Sequence, residues 1–108
     1  MRVSVVGTGH LGSIHAKLWK QHDGVELIGI VDPNEAQGRS IAEQQGATWY
    51  PSVAAMPDVD AVVIAAPTSV HYDLAVECLG RGFHCFIEKP VTATYDQAQR
   101  LIQKALEL

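Results

Sequence analysis

Residues Gly7-Thr8-Gly9-His10-Leu11-Gly12 place three glycines in the spacing G-x-G-x-x-G. The chemistry this spacing suits is the binding of a pyrophosphate. Gly7 permits a tight turn, Gly9 lets the backbone approach the phosphates, and Gly12 lets helix and strand pack closely. Alone the pattern is weak, but here it follows a predicted strand and opens a predicted helix. That helix offers unpaired N–H groups and the positive end of its dipole to an anion.

Asp32 is the second mark. It ends an apolar run about 20 residues beyond Gly12, where a carboxylate accepts hydrogen bonds from the adenosine ribose hydroxyls. A carboxylate there also repels a 2′-phosphate. The nearest following arginine, Arg39, falls within a predicted helix. These residues favour NAD over NADP. The bland reading, a glycine turn beside a surface aspartate, does not explain why strand, glycines, helix and acid stand in register.

Two further segments carry candidate chemistry. "APTSVH" (Ala66–His71) brings Ala66 and Pro67 toward the glycine loop. Thr68 either caps the following helix or touches the cofactor, and His71 falls in that helix's first turn. On local sequence alone a surface histidine is the simpler reading of His71. "CFIEKP" (Cys85–Pro90) ends an apolar run in Glu88, Lys89 and Pro90. Judged locally, Glu88 and Lys89 are a solvated charge pair. Beside a dinucleotide crevice, Lys89 becomes a group that can hydrogen-bond a substrate hydroxyl and assist proton removal as hydride leaves. His10 and His15 lack the i, i+4 pairing of a helical metal site, so no metal is expected, and His22 and His84 read as surface or strand-edge residues. Trp19, Trp49 and Tyr50 read as packing groups.

The elements that must position these residues alternate between strands and helices. Strands are predicted at Arg2–Val6, Glu26–Val31, Ala47–Tyr50, Asp60–Ala66 and His84–Glu88. Helices are predicted from His10 to about His22, from Asn34 to Gln45 with Gly46 ending it, from Val70 to Gly80, and from about Tyr95 to Leu106. The last should bury Ala98, Leu101, Ile102, Ala105 and Leu106. "PSVAAM" (Pro51–Met56) is expected to make one helical turn. This alternation predicts an α/β fold: a Rossmann-type, doubly wound parallel sheet in three layers, of order 3-2-1-4-5. The cofactor crevice then lies where the winding reverses, outside strands 1 and 4.

The 108 residues suit one domain, 1–108. Hydrophobic residues make up 47% and charged residues 19%, which excludes a disordered chain. The net charge of −4, without a basic cluster, argues against nucleic acid as a partner. No apolar run approaches membrane-spanning length. Two cysteines, Cys78 and Cys85, fit neither a redox CxxC nor a zinc knuckle, and two buried thiols in a reducing compartment are expected. With no leader pattern at the N-terminus, the expected location is the cytoplasm.

Together "VVGTGHLGSIHA", "VDPN" and "APTSVHYDLAVECLGRGFHCFIEKP" resemble the oxidoreductase family typified by glucose–fructose oxidoreductase, inositol dehydrogenase and rhizopine catabolism proteins. The resemblance implies that Gly7, Gly9, His10, Leu11 and Gly12 hold the pyrophosphate and that Asp32 binds the adenosine ribose. It implies that Pro67, Thr68 and His71 line the cofactor cleft. It places Glu88, Lys89 and Pro90 near the nicotinamide ribose and the reacting carbon, with Lys89 catalytic. The implied activity is an NAD-dependent dehydrogenase acting on a hydroxyl of a sugar, sugar nucleotide or cyclitol.

Relatives in this family continue into a last Rossmann strand and a second, mostly β-sheet substrate domain. The expectation is therefore the cofactor domain of a longer enzyme, truncated before the last strand, with little or no turnover alone. The parent is expected to be a homo-oligomer. The 108 residues by themselves are expected as a monomer or a non-native pair through the fifth strand. A non-catalytic dinucleotide sensor of the same fold is the competing reading, against which an intact Lys89 argues. A Rossmann-like domain that binds no dinucleotide is a third.

Overall fold

The computed structural model describes residues 1–87 and 99, 100, 102, 103 and 105, with the backbone only at His10, Leu11 and Thr68. Five parallel strands form one sheet: β1 (Arg2–Val6), β2 (Glu26–Val31), β3 (Thr48–Tyr50), β4 (Ala61–Ile64) and β5 (His84–Ile87). Their order is β3-β2-β1-β4-β5, the doubly wound order expected. β1 pairs with β2 on one side, from Arg2 opposite Glu26 to Val6 opposite Val31. On its other side it pairs with β4, from Val3 opposite Ala61 to Val6 opposite Ile64. The winding therefore reverses at β1, and the chain leaves β1 at that reversal through Gly7.

Helices α1 (His10–Gln21), α2 (Glu35–Gln45) and α3 (His71–Gly80) pack on the sheet. The period-2 pattern of β1 splits its side chains between two cores. Val3 and Val5 join Leu27, Ile30 and Val63 beneath Ala16 of α1 and Ala42 of α2. Val6 joins Val31, Val62 and Ile64 beneath Ala75 and Cys78 of α3, with Val53, Met56 and Val59 completing that layer. Central strands covered on both faces must be apolar on both, which is why "AVVI" shows no alternation.

The ends of α2 follow from its sequence. Asn34 caps it, its side chain accepting from Gln37 N at 3.2 Å, and Gly46 closes it in the left-handed region at φ 67°. Other boundaries differ from expectation. α1 and α3 match to within a residue, and β4 is shorter at both ends, stopping at Ile64. Pro51–Met56 forms bends and turns rather than a helical turn. Bonds from Ala55 N to Ser52 O and Met56 N to Val53 O close it locally. Gln99, Arg100, Ile102, Gln103 and Ala105 are helical as predicted, but Ile102 and Ala105 are exposed rather than buried. No described element covers that stripe.

Candidate functional site

The turn after β1 is held between its two neighbours. Gly7 N donates to Val31 O of β2 at 2.8 Å, and Ala65 N, just beyond β4, donates to Val6 O at 2.8 Å. Gly7 has φ +100°, and a Cβ on it would stand 2.6 Å from Ala66 N. A Cβ on Gly12 would stand 1.9 Å from Gly7 O. Both glycines are therefore demanded by packing within the protein. Gly9 differs: a Cβ there would meet nothing within 4 Å. Its openness is not needed by the fold, so it is available to a ligand.

Gly9 is also the N-cap of α1, and it supplies no side-chain cap. The first turn holds no acidic residue, and the helix ladder begins with Ser13 N donating to Gly9 O at 2.9 Å. The N–H groups of His10, Leu11 and Gly12 precede that bond and have no intrahelical acceptor. They and the dipole make this end of α1 attractive to an anion.

Asp32 lies one residue beyond β2. Its Oδ2 accepts from Thr8 N at 2.9 Å and Thr8 Oγ1 at 2.6 Å, and its Oδ1 accepts from Asn34 N at 2.8 Å. A carboxylate has about four acceptor positions. Three are filled, which leaves one for a ligand hydroxyl and locks the group's orientation. Two further contacts brace this corner. Gln37 Nε2 donates to Thr8 O, and Trp49 Nε1 donates to Asp32 O at 2.9 Å. Gly38 makes room for the Trp49 ring, since a Cβ there would come within 2.3 Å of it.

A cleft of about 780 Å³ opens along this edge, within the usual size of a small-molecule site. It is lined by the glycine loop (Gly7, Thr8, Gly9) and Ala65–Pro67, by Asp32 and Pro33 after β2, by Pro51, Ser52 and Val53 after β3, and by Leu74 and Glu77 of α3. The turn carrying Val53 is tied down by Arg81. Its guanidinium donates to Val53 O at 2.7 Å, Met56 O at 2.8 Å and Asp58 Oδ1 at 2.9 Å, and lies 4.7 Å from the Phe83 ring centre.

A family model described as "Oxidoreductase family, NAD-binding Rossmann fold" matches residues 1–108. The chain belongs to this family. UDP-N-acetylglucosamine 3-dehydrogenase of Acidithiobacillus ferrooxidans is 39% identical, over 99% of this chain and 34% of that protein. Its solved structure superposes with a TM-score of 0.92. scyllo-Inositol 2-dehydrogenase (NAD(+)) of Bacillus subtilis is 31% identical, over 99% of this chain and 33% of its own length. The WlbA dehydrogenase of Bordetella pertussis, solved with NADH and UDP-GlcNAcA, is 29% identical with a TM-score of 0.93, over 99% of this chain and 34% of that one. The chain thus spans about a third of the length of the relatives it matches.

Within this NAD-binding Rossmann domain, Gly7, Gly9, Asp32 and Pro67 all border one cleft. Gly12 supports the loop from behind, and His10 and Leu11 contribute backbone at the start of α1. Thr68 opens a 3-10 turn (Thr68–Val70), so the residue preceding α3 is Val70 rather than Thr68. His71 corrects the local expectation of a surface histidine. It is 2% exposed, and its Nε2 donates to Ala66 O at 2.5 Å. It stands behind the cleft wall and steadies Ala66, while Ser69, Val70 and Leu74 face the cleft. Glu88, Lys89 and Pro90 lie outside the described residues. They follow Ile87 directly in sequence, and Ile87 pairs with Ile64 at the carboxyl edge that carries the cleft.

Sequence reasoning passed over Thr8, Gln37, Arg81 and Glu77. Thr8 fills an unspecified position of the glycine pattern, Gln37 belongs to no pattern, and both act through bonds to residues distant in sequence. Val70, Leu74 and Glu77 carry a legible signal, the i, i+4, i+7 spacing of one helix face.

Cys78 and Cys85 are free, the first buried and the second half-buried. A hydrogen bond between the two, then burial, pushes the Cys78 thiol well above the usual thiol range. The same hydrogen bond draws Cys85 down, against the effect of burial. Among the described residues no cluster could hold a metal ion, and no helix is long and apolar enough to cross a membrane.

Proposed function

We infer that this chain is the cofactor-binding part of an NAD-dependent dehydrogenase that oxidises, or re-forms, a hydroxyl on a sugar, sugar nucleotide or cyclitol. One observation carries the reading: an uncapped helix N-terminus over the open side of Gly9, in the same cleft as a carboxylate oriented by Thr8 and Asn34. The spacing suits a pyrophosphate followed by a ribose. The hydroxyl-bearing substrates of the relatives support the substrate class.

NAD, when bound, supplies the hydride acceptor at nicotinamide C4. The backbone at Gly7, Gly9, His10, Leu11 and Gly12 holds the pyrophosphate, and Asp32 accepts from the adenosine ribose. Pro67 borders the half of the cleft toward the nicotinamide, with Thr68 next to it in the chain and His71 steadying that wall from behind through Ala66, and Glu88 and Pro90 flank Lys89. Lys89 handles the proton of the substrate hydroxyl. The 108 residues are a monomer, or a non-native pair through β5, the outer strand of the described sheet, and the protein is cytoplasmic.

Calorimetry with NAD and NADP tests the cofactor. Binding of NAD in preference to NADP is expected, and no heat with either at millimolar concentration, on a folded sample, overturns the reading. For Lys89, the longer enzyme containing this domain is the object. Lys89→Ala should cut kcat with little change in NAD affinity, and an unchanged kcat removes its role.

A further inference from the structure

The α3 side of the cleft carries an acceptor with no assigned task. Glu77 lines the cleft there, on the α3 face that also presents Val70 and Leu74. Arg81, one turn further along α3, is bonded to Val53 O and Met56 O. This end of the helix is therefore packed against the turn that supplies Ser52 and Val53, and Glu77, one turn before Arg81, lines the same cleft as that turn. The other polar side chains nearby have partners. Asp32 is bonded to Thr8 and Asn34, Gln37 to Thr8 O, and Ser52 Oγ accepts from Ala55 N at 3.4 Å.

We propose that Glu77 is a specificity-determining residue that accepts a hydrogen bond from the exocyclic amine of the cofactor's adenine. The inference rests on the dinucleotide reading given above. With the pyrophosphate at Gly9 and the ribose at Asp32, the base reaches the apolar walls formed by Pro51, Val53 and Leu74. An ionised carboxylate only accepts. It welcomes the 6-amino group of adenine and gains nothing from a purine that lacks that group. Arg81 does not reverse that preference, because its guanidinium is bonded to the turn and to Asp58.

The test compares NAD with nicotinamide purine dinucleotide, in which hydrogen replaces the 6-amino group, by calorimetry on the intact chain. The wild type should prefer NAD by about tenfold, the worth of one charge-assisted hydrogen bond. Glu77→Ala should bring the ratio close to one. Glu77→Gln, which keeps a carbonyl acceptor, should retain most of the preference. Glu77 is exposed, so these variants keep the fold. A wild-type ratio near one, or a ratio unmoved in Glu77→Ala, overturns the assignment while leaving the dinucleotide cleft intact. A loss shared equally by both ligands also overturns it. If the wild type binds neither dinucleotide, the dinucleotide reading fails and this one fails with it.

Discussion

Replacing Asp32 with alanine removes an acceptor that serves both fold and ligand, and the two effects can be separated. Thr8 is 1% exposed, so its N–H and hydroxyl have little water to turn to once the carboxylate is gone. The two bonds they make to Oδ2, at 2.9 and 2.6 Å, are of the charge-assisted kind. At about 1.5–3 kcal/mol each, with the exposed Asn34 bond adding little, the loss of stability is about 3–6 kcal/mol. Denaturant melts measure this. The remaining acceptor position takes a ribose hydroxyl, and its loss weakens NAD by about 10- to 150-fold. NADP gains relative to NAD, because the repulsion of its 2′-phosphate is gone. Thr8→Val is the control: it removes the hydroxyl bond to Asp32, costs about 1–2 kcal/mol, and should leave the NAD/NADP ratio intact. Calorimetry with both dinucleotides reads the ratio. A folded Asp32→Ala protein with unchanged preference would refute the role given to this carboxylate.

The glycines of the loop should part company on substitution. Gly12→Ala meets Gly7 O and should cost about 3 kcal/mol or more, whereas Gly9→Ala should melt like the wild type yet bind NAD about tenfold or more weakly; a Gly9→Ala protein with full affinity would remove the pyrophosphate from that spot. Ser4 Oγ is buried without a hydrogen-bond partner, so Ser4→Ala should be neutral or stabilising by about 1 kcal/mol in a denaturant melt. Cys85, drawn below the usual thiol value, should alkylate with iodoacetamide well before Cys78, as mass spectrometry of the labelled peptides will show. The signs of their pH effects oppose each other. The folded state releases the Cys85 proton more readily than the unfolded chain, so this contribution is present above the unfolded value near 9 and is lost as pH falls through the folded one. It holds the Cys78 proton more tightly, so stability declines again as pH rises beyond about 9, and melts across that range should show the maximum.

Much of the site was readable before any coordinates, for a local reason. A parallel sheet built from consecutive βα units brings every strand's carboxyl end to one edge, so residues just after the apolar runs gather there. Gly7 after β1, Asp32 after β2 and Pro67 after β4 could therefore be placed from spacing alone. His71 could not. First-turn position says that a residue is near the edge, but not whether its ring turns into the cleft or back beneath Ala66. Pro51–Met56 could not either, because a six-residue apolar stretch fits a helical turn and a tied-down loop equally well, and Arg81 is what decides for the loop.

The sequence by itself determined the order and type of the elements, the doubly wound sheet and the glycine–aspartate cofactor mark. Those depend on periodicity and on residues whose backbone needs are local. Only the tertiary structure decided which glycines the fold demands and which it leaves open, that Thr8 orients Asp32, that Arg81 pins the Pro51–Met56 turn, and that Glu77 lines the same cleft as that turn. Each of these is a contact between residues more than twenty positions apart, or a question of empty space. Neither leaves a trace in one-dimensional spacing.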